Sequence, residues 1–429
     1  MTHKQKLSLP AAIMINVNIM LGTGIFINTT ALATRAGGLG FLGYLIVGAL
    51  MLPLILSISH LLRLHPGGGF YTFAQKEISP LAGFLSSWTF FVAKLASATL
   101  ITHASVLLMQ TIIPTLALIN PLILDTAILM LFTTLNMRNI RTGSTVQAVF
   151  ITLKTIPICF AILVGLWLFN GEYLSSTHLL WSGIPSMMPL VLYACIGFEA
   201  AVSLSSRIQD PEKNAPLVIF ISYGIVVAIL ALYQFAFYGA LGMVLSSAPN
   251  YLFAFPSLLA AAGLSAATWE TFLHLAIASS ALGGAYGILF SNSWNLYALA
   301  EHKHLIGSSA FAQMNKQDIP WLCVITELIL CLIYLAVTGG ERILLQQISG
   351  LGVVFAYFMC VVALIRAKQN NPSLAVSWAV PILGLGSAIL LMGMCIRGLL
   401  ISSSYAFIAF LLLLVTGATM YFITAQKED

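Results

Sequence analysis

The sequence predicts an all-α polytopic membrane protein, and composition and hydropathy carry that prediction. Of its 429 residues, 59% are hydrophobic and only 7% are charged, whereas soluble domains contain about 25% charged residues. The mean hydropathy is +0.98. Apolar runs of the length that a helix needs to cross a bilayer recur along the whole chain, without a large polar segment between them. We therefore expect a lipid bilayer around the chain and no soluble domain.

Twelve transmembrane helices are predicted in order. The spans are residues 10–35, 40–63, 81–112, 121–137, 144–169, 183–205, 215–243, 268–299, 320–338, 343–366, 378–399 and 403–424. Only Lys4 and Lys6 precede the first span as charges, and a small-residue cleavage site is missing, so we interpret it as a retained helix rather than a signal peptide.

The distribution of Lys and Arg predicts the orientation, because cytoplasmic loops are enriched in these residues. With the N-terminus inside, the inner side contains Lys4, Lys6, Arg63, Lys76, Arg138, Arg141, Arg207, Lys213, Lys303, Lys316, Arg366, Lys368 and Lys427, and the outer side only Arg35, Arg342 and Arg397. We predict a multi-pass protein of the plasma (inner) membrane with both termini cytoplasmic. The formal charge of +5 reflects this asymmetry, and the sequence shows no basic stripe with interleaved aromatic residues that would indicate nucleic-acid binding.

The first span contains a helix-breaking signal, MLGTGIF, at Gly22, Thr23 and Gly24. Close helix packing is one interpretation of the glycines, but at i and i+2 they do not share a helix face. A local break suits them better. A break exposes backbone groups that membranes tolerate only beside a cavity, and the next half-helix offers its N–H groups to an anion. Gly-Thr-Gly followed by Ile25 and Phe26 therefore predicts a cradle for a carboxylate.

A second break is predicted in the sixth span, where YACIGFEAA places Gly197 and Glu199 in an apolar run. It lies five helices after the first break, and paired breaks are typical of transporters built from two structural repeats. An odd number of helices inserts the second repeat upside down. We expect a first inverted repeat at residues 1–180 with helices 1–5, a second at 181–370 with helices 6–10, and helices 11–12 with a short cytoplasmic tail at 371–429.

Four motifs resemble those of the amino acid, polyamine and organocation (APC) superfamily of transporters. They are MLGTGIF in the first span, HPGGGFYTFA after the second, GSTVQAVFITLKTIP entering the fifth and IGFEAAVSLSSRIQDPEKNAP in the sixth. The resemblance implies the five-plus-five inverted-repeat (LeuT-like) fold with two extra C-terminal helices. It further implies a central substrate site between the first and sixth helices, with alternating access by rocking and gating.

The resemblance also implies roles for individual residues at the two breaks. The implied substrate-binding residues are Gly22, Thr23, Gly24, Ile25, Cys195, Ile196, Gly197 and Phe198. Those of the first span are implied to bind the substrate carboxylate, and carbonyls of the sixth span its ammonium group. Tyr193 matches an aromatic residue that occludes the bound substrate in some members; an ordinary packed tyrosine near the interface is the alternative.

Lys154 is an ionisable residue inside the fifth span, and such residues are costly and usually mark ion or proton pathways. In the related transporters that do not use sodium, a lysine in this TLK context stands where sodium-coupled relatives bind the ion between helices one, five and eight. The resemblance thus implies a coupling role for Lys154 without sodium. The alternative is a side chain that snorkels to the cytoplasmic interface.

Glu199 matches an acidic position in polyamine and basic amino acid exchangers. The resemblance implies that its carboxylate pairs with a cationic substrate, or acts in gating by taking up a proton that reports on the open side. A glutamate that bonds to neighbouring helices and only holds the broken segment is the structural alternative. Lys94, in the third span, either pairs with Glu199 or faces the cytoplasmic vestibule. Ser206 and Arg207 stand where basic amino acid carriers often have paired glutamates, and Trp294 stands where many members have an arginine near the inner end of the eighth helix, so the substrate preference stays open.

These observations predict a sodium-independent secondary active transporter of amino acids that works by proton symport or substrate exchange. A basic amino acid or polyamine antiporter is the alternative, followed by a proton-translocating antiporter-like subunit and a ligand sensor on a carrier scaffold. The expected partners are a small-molecule amino acid or amine, the lipid bilayer and, as an option, a proton. No enzyme motif, cofactor or metal cluster is predicted, and the oligomeric state is left open.

Overall fold

The computed structural model describes residues 6–22, 24–175, 179–248, 251–264, 266–402 and 404–425, and this part of the chain is helical. The helices are α1 (Leu9–Met20), α2 (Gly24–Ala36), α3 (Gly40–Leu64), α4 (Phe70–Glu77), α5 (Pro80–Ile112), α6 (Pro121–Asn136), α7 (Ile140–Trp167), α8 (Ile184–Cys195), α9 (Ala200–Ser203), α10 (Pro211–Leu241), α11 (Met243–Ser247), α12 (Tyr251–Ala261), α13 (Ala266–Glu301), α14 (Ser308–Phe311), α15 (Trp321–Thr338), α16 (Arg342–Asn370), α17 (Ala379–Ser402) and α18 (Ser404–Ala425).

Ten segments of the described chain are long and apolar enough to cross a membrane, and the bent pair of α1 and α2 is an eleventh candidate. The prediction of an all-α polytopic membrane protein is therefore confirmed. Every predicted span overlaps one of these segments, the pair α1 and α2, or α6. The twelve-helix count stays a prediction, because α6 has 16 residues and spans about 24 Å at 1.5 Å per residue.

Local signals explain where several helices begin. The Ser79 side chain accepts a hydrogen bond from the Ala82 N–H at 3.2 Å, and Asn120 does the same for Leu122 at 2.9 Å. In both cases proline occupies the first helical position, where its missing N–H is not needed. The short helices α4, α11, α12 and α14 are not predicted by the sequence analysis, because they are too short to produce a membrane-length apolar run.

The long helices α5 and α13 form the centre of the molecule. They pack against each other, and α5 also packs against α6, α15, α16 and α18. Most residues of both helices are buried, whereas α17 and α18 expose large apolar side chains such as Ile382, Leu383 and Leu412. The first helix, α1, packs against α7, α10 and α13. The broken segments are therefore surrounded by protein.

Candidate functional site

The first span is broken where the Gly-Thr-Gly motif predicts it. Helix α1 ends at Met20, and α2 begins at Gly24 with an axis inclined by 44°. Leu21 leaves the helical conformation with ψ of 61°, and the Gly22 N–H donates to the Met20 carbonyl at 2.8 Å. Thr23 lies outside the described residues. The C-terminus of α1 and the N-terminus of α2 therefore face the same interior region.

The sixth span is broken at Ile196–Glu199. Helix α8 ends at Cys195, Ile196 is extended, and Gly197 has φ of +132°. A side chain at that φ is strained, so the conformation requires glycine. Helix α9 continues the span from Ala200. The sequence prediction of a second break therefore matches the backbone conformation.

The two breaks touch each other. A Cβ atom at Gly24 would lie 2.9 Å from the Cβ of Ala194, and one at Gly197 would lie 2.9 Å from the Cα of Met20. Real Cβ atoms essentially never approach other atoms that closely. Both glycines are thus required by close backbone approach, whereas a Cβ at Gly22 would meet only the Ile19 carbonyl oxygen, at 3.7 Å.

The implied substrate-binding residues consequently lie together. The described ones are Gly22, Gly24, Ile25, Cys195, Ile196, Gly197 and Phe198, and all of them are buried. The first residue of α2 lies against the last turn of α8, so a helix N-terminus and a helix C-terminus are neighbours. The N-terminus carries partial positive charge and the C-terminus partial negative charge. This pair is complementary to a zwitterion with a carboxylate and an ammonium group.

Three asparagines hold the breaks in place, and the sequence analysis did not single them out. The Ala201 N–H donates to the Asn16 side chain at 3.1 Å, and the Asn28 side chain donates to the Leu190 carbonyl at 2.8 Å. The Asn18 side chain donates to Gln147 and to the Gly283 carbonyl. The sequence did offer a signal for these contacts. An amide side chain inside an apolar span indicates a hydrogen bond to another helix or to a broken segment, since buried polar groups need partners.

Lys154 on α7 lies against the end of α1. Its side chain is fully buried, and its Nζ donates to the Asn18 carbonyl oxygen at 2.6 Å. That carbonyl belongs to the last turn of α1, where the break leaves helix carbonyls without their usual N–H partners. A cation at a helix C-terminus is electrostatically favourable. Lys154 is therefore buried and bonded to α1, and it does not snorkel to the interface.

Glu199 is fully buried and has partners for both carboxylate oxygens. Lys94 Nζ donates to Oε1 at 2.9 Å; the Tyr357 hydroxyl and the Gly197 N–H donate to Oε2 at 2.7 and 2.8 Å. Of the alternatives for Lys94, the structure shows the pair with Glu199. The carboxylate thus connects the break to α5 and α16, and its charge is matched by that of Lys94.

Tyr193 lines a cavity of about 310 Å³ next to the break. The cavity is bordered by Ile196 from the same span, Arg35 from the end of α2, Gln346 from α16 and Met394 from α17. The Tyr193 hydroxyl lies 3.3 Å from the Ser97 hydroxyl of α5. A half-buried tyrosine between a cavity and the Ile196 segment is positioned to cover the break.

The two sequence departures noted above, Arg207 and Trp294, are in contact. The Arg207 guanidinium stacks on the Trp294 ring, 3.9 Å from its centroid, and pairs with Asp318 at 3.2 Å. The N–H of Leu7 donates to the Arg207 carbonyl at 2.7 Å. This contact joins the end of the sixth span to α13 and to the segment before α15.

Within the described ranges, no group of three His, Cys, Asp or Glu side chains could hold a metal ion.

The sequence of this chain is similar to a family model and to individual transporters of amino acids. A family model described as amino acid permease matches residues 7–427. The chain is 22% identical over 386 residues to a D-serine/D-alanine/glycine transporter of Escherichia coli K12, covering 84% of this chain and 80% of that protein. It is 26% identical over 419 residues to a putative arginine/ornithine antiporter of the same strain, covering 89% and 86%.

Proposed function

The chain belongs to the amino acid permease family, and from this membership we propose that it is a sodium-independent secondary transporter of amino acids working by proton symport or substrate exchange. Membership indicates amino acid transport across a membrane rather than an enzymatic reaction. The proposal includes twelve spans in two inverted five-helix repeats, followed by two helices. It also includes a plasma membrane location with both termini cytoplasmic, supported by the Lys and Arg distribution.

The contact between the two breaks carries this proposal. Gly24 at the N-terminus of α2 and Ala194 at the end of α8 are adjacent, so opposite helix-end charges lie side by side. We assign the substrate carboxylate to Gly22–Ile25 and the ammonium group to Cys195–Phe198. Every α-amino acid has these two groups, so contacts with them would recognise amino acids in general. Selection among amino acids would then depend on other residues that contact the substrate side chain.

The pairing of Glu199 favours substrates with neutral side chains. A cationic side chain would need an unmatched carboxylate, but Glu199 is bonded to Lys94, Tyr357 and the Gly197 N–H. Displacing Lys94 would leave a buried, unpaired ammonium, which costs about 3–5 kcal/mol. We therefore place neutral amino acids first. Exchange of cationic amino acids is the second candidate, supported by the similarity to the putative arginine/ornithine antiporter over 419 residues.

Lys154 supports sodium independence. Its side chain extends from α7, and its ammonium group donates a hydrogen bond to the backbone carbonyl of Asn18 on α1. The Asn18 side chain in turn donates to the Gly283 carbonyl of α13. A fixed positive charge there opposes binding of a second cation by Coulomb repulsion. We propose that Lys154 takes the place of a coupling sodium ion and stabilises the broken end of α1.

Uptake by purified protein in liposomes tests the function. Tritiated glycine, D-alanine, L-arginine and L-ornithine are supplied with and without a sodium or proton gradient. We expect uptake of glycine or D-alanine, no effect of sodium, and loss of uptake in Gly24→Val. Gly224→Ala is the matched control, because a Cβ at Gly224 meets nothing within 4 Å. Uptake of arginine and ornithine alone would select the second candidate, and normal uptake by Gly24→Val would refute the cradle.

A further inference from the structure

The described chain contains a buried acidic residue that the proposed mechanism does not use. Glu327 is the seventh residue of α15, about 9 Å from the start of the helix at 1.5 Å per residue. Only 1% of it is exposed, and neither carboxylate oxygen has a hydrogen-bond partner at normal length and angle within the described part of the chain. Ionisable residues in such positions are rare and usually functional.

No charge of opposite sign faces Glu327 in the described chain. Helices α5, α6, α13 and α14 pack against α15. The titratable groups of α5, α6 and α13 are Lys94, His103, Asp125, Glu270, His274, Tyr286, Tyr297 and Glu301, and those of α15 itself are Cys323, Cys331 and Tyr334. Lys94 is paired with Glu199 and His103 with Asp125, and the carboxylates and the histidine of α13 lie towards its two ends. An unpaired carboxylate is far more costly to bury than a neutral carboxyl group.

A chain of polar side chains leads from Asn292, beside Glu327, to the broken sixth span. Asn292 of α13 lies beside the Glu327 carboxyl group. The Asn295 side-chain amide donates to Asn292 Oδ1 at 3.0 Å and to the Ser203 hydroxyl at 2.9 Å. Ser203 in turn donates to the Glu199 carbonyl oxygen at 3.5 Å. The chain leads from α15 to the segment that follows Gly197.

We propose that Glu327 is a proton-binding site of the transporter, and that Asn292, Asn295 and Ser203 couple its protonation to the break in the sixth span. This inference rests on the proposed transport function and assigns the proton its site. The step is Glu–COO⁻ + H⁺ to Glu–COOH, with the proton taken from water on the side to which the site is open.

The contacts of Asn292 explain how protonation acts on the break. In the described state its Oδ1 accepts from Asn295, and its Nδ2 donates to the Phe91 carbonyl at 3.1 Å. When Glu327 loses its proton, the new carboxylate attracts the Asn292 N–H, because hydrogen bonds to charged acceptors are about twice as strong as neutral ones. Rotation of the amide releases Asn295 and, through it, Ser203. Loss of the proton thus loosens the segment that holds Glu199.

The experiment uses full-length protein in liposomes with a pH-sensitive dye inside, and it compares wild type, Glu327→Gln and Glu172→Gln. Glu172 is an exposed glutamate in a short helix after α7 and serves as the matched control. Glutamine imitates the protonated form in shape and charge. We expect Glu327→Gln to retain exchange of tritiated glycine or arginine but to lose proton uptake and accumulation driven by a proton gradient. Proton uptake equal to wild type in Glu327→Gln would overturn the proposal.

A second variant keeps the proposal testable if Glu327→Gln does not fold. Asn292→Ala retains the carboxyl group but interrupts the polar chain, so we expect a shift in the pH of half-maximal uptake; an unchanged pH profile would overturn the proposal. Wild-type transport of either amino acid without proton movement would also overturn it, while the proposed transport function would remain. Failure of wild type to bind or carry any of the four amino acids would instead refute the proposed function.

Discussion

The ion pair between Lys94 and Glu199 gives the sharpest quantitative prediction. The pair is buried, with Nζ and Oε1 2.9 Å apart, and Glu199 has two further hydrogen-bond donors. Lys94→Met leaves the Glu199 charge without its cation, and breaking a buried pair from one side costs about 3–5 kcal/mol. Glu199→Gln leaves Lys94 unmatched, and we expect a loss of similar size.

Removing both charges should cost much less than the sum of the single changes. In Lys94→Met with Glu199→Gln no unpaired charge is left, and the glutamine oxygen can still accept from Tyr357 and the Gly197 N–H. Replacement of a whole buried pair is often neutral. The double-mutant cycle should therefore give a coupling energy of about 3 kcal/mol or more, above the roughly 0.5 kcal/mol error of additivity.

The assay is unfolding in mixed micelles by a denaturing detergent, which gives a free energy of unfolding for each variant. Glycine binding, measured by thermal stabilisation, follows in parallel, because a ligand of the folded state raises its stability. Additive losses would refute the argument that the charges are mutually dependent. Tighter arginine binding by Lys94→Met would show that Glu199 becomes available to a cationic side chain when its partner is removed.

Three further predictions concern Gly197, Lys154 and the contact between Arg207 and Trp294. Gly197→Ala should cost about 2–6 kcal/mol of unfolding free energy, because it combines backbone strain at φ of +132° with overpacking on Met20. Gly224→Ala, inside α10 with open space around the added Cβ, should instead raise the unfolding free energy by about 0.5–1 kcal/mol. A loss below about 1 kcal/mol for Gly197→Ala in the detergent titration would contradict the argument. Lys154→Ala should weaken proton-linked or exchange flux, and an uptake assay with unchanged pH dependence would argue against a coupling role. Arg207→Gln and Trp294→Leu should show a coupling energy of about 0.5–2 kcal/mol in the same cycle, whereas additive effects would mean that the stack contributes nothing.

The sequence by itself determined that the chain is surrounded by lipid and in which order its apolar spans follow each other. Hydropathy is a property of about 20 consecutive residues, so each span follows from its own composition. The breaks at Gly22–Gly24 and Gly197 were also local, because glycine in an apolar run signals a backbone that leaves the helix. The short helix α12 escaped prediction, since 11 residues do not cross a bilayer.

Only the tertiary structure decided which distant side chains meet. Lys94 and Glu199, Arg207 and Trp294, and Lys154 and the Asn18 carbonyl lie on different helices. No periodicity in one helix specifies the partner on another, because apolar faces pack against each other with little chemical selectivity. Glu327 shows the same limit: its helix reads as an ordinary apolar span, and only the packing of α5, α6 and α13 around it leaves its carboxyl group without a counter-charge. Spans and breaks are local properties of the chain, whereas charge pairs and proton sites depend on how the helices assemble.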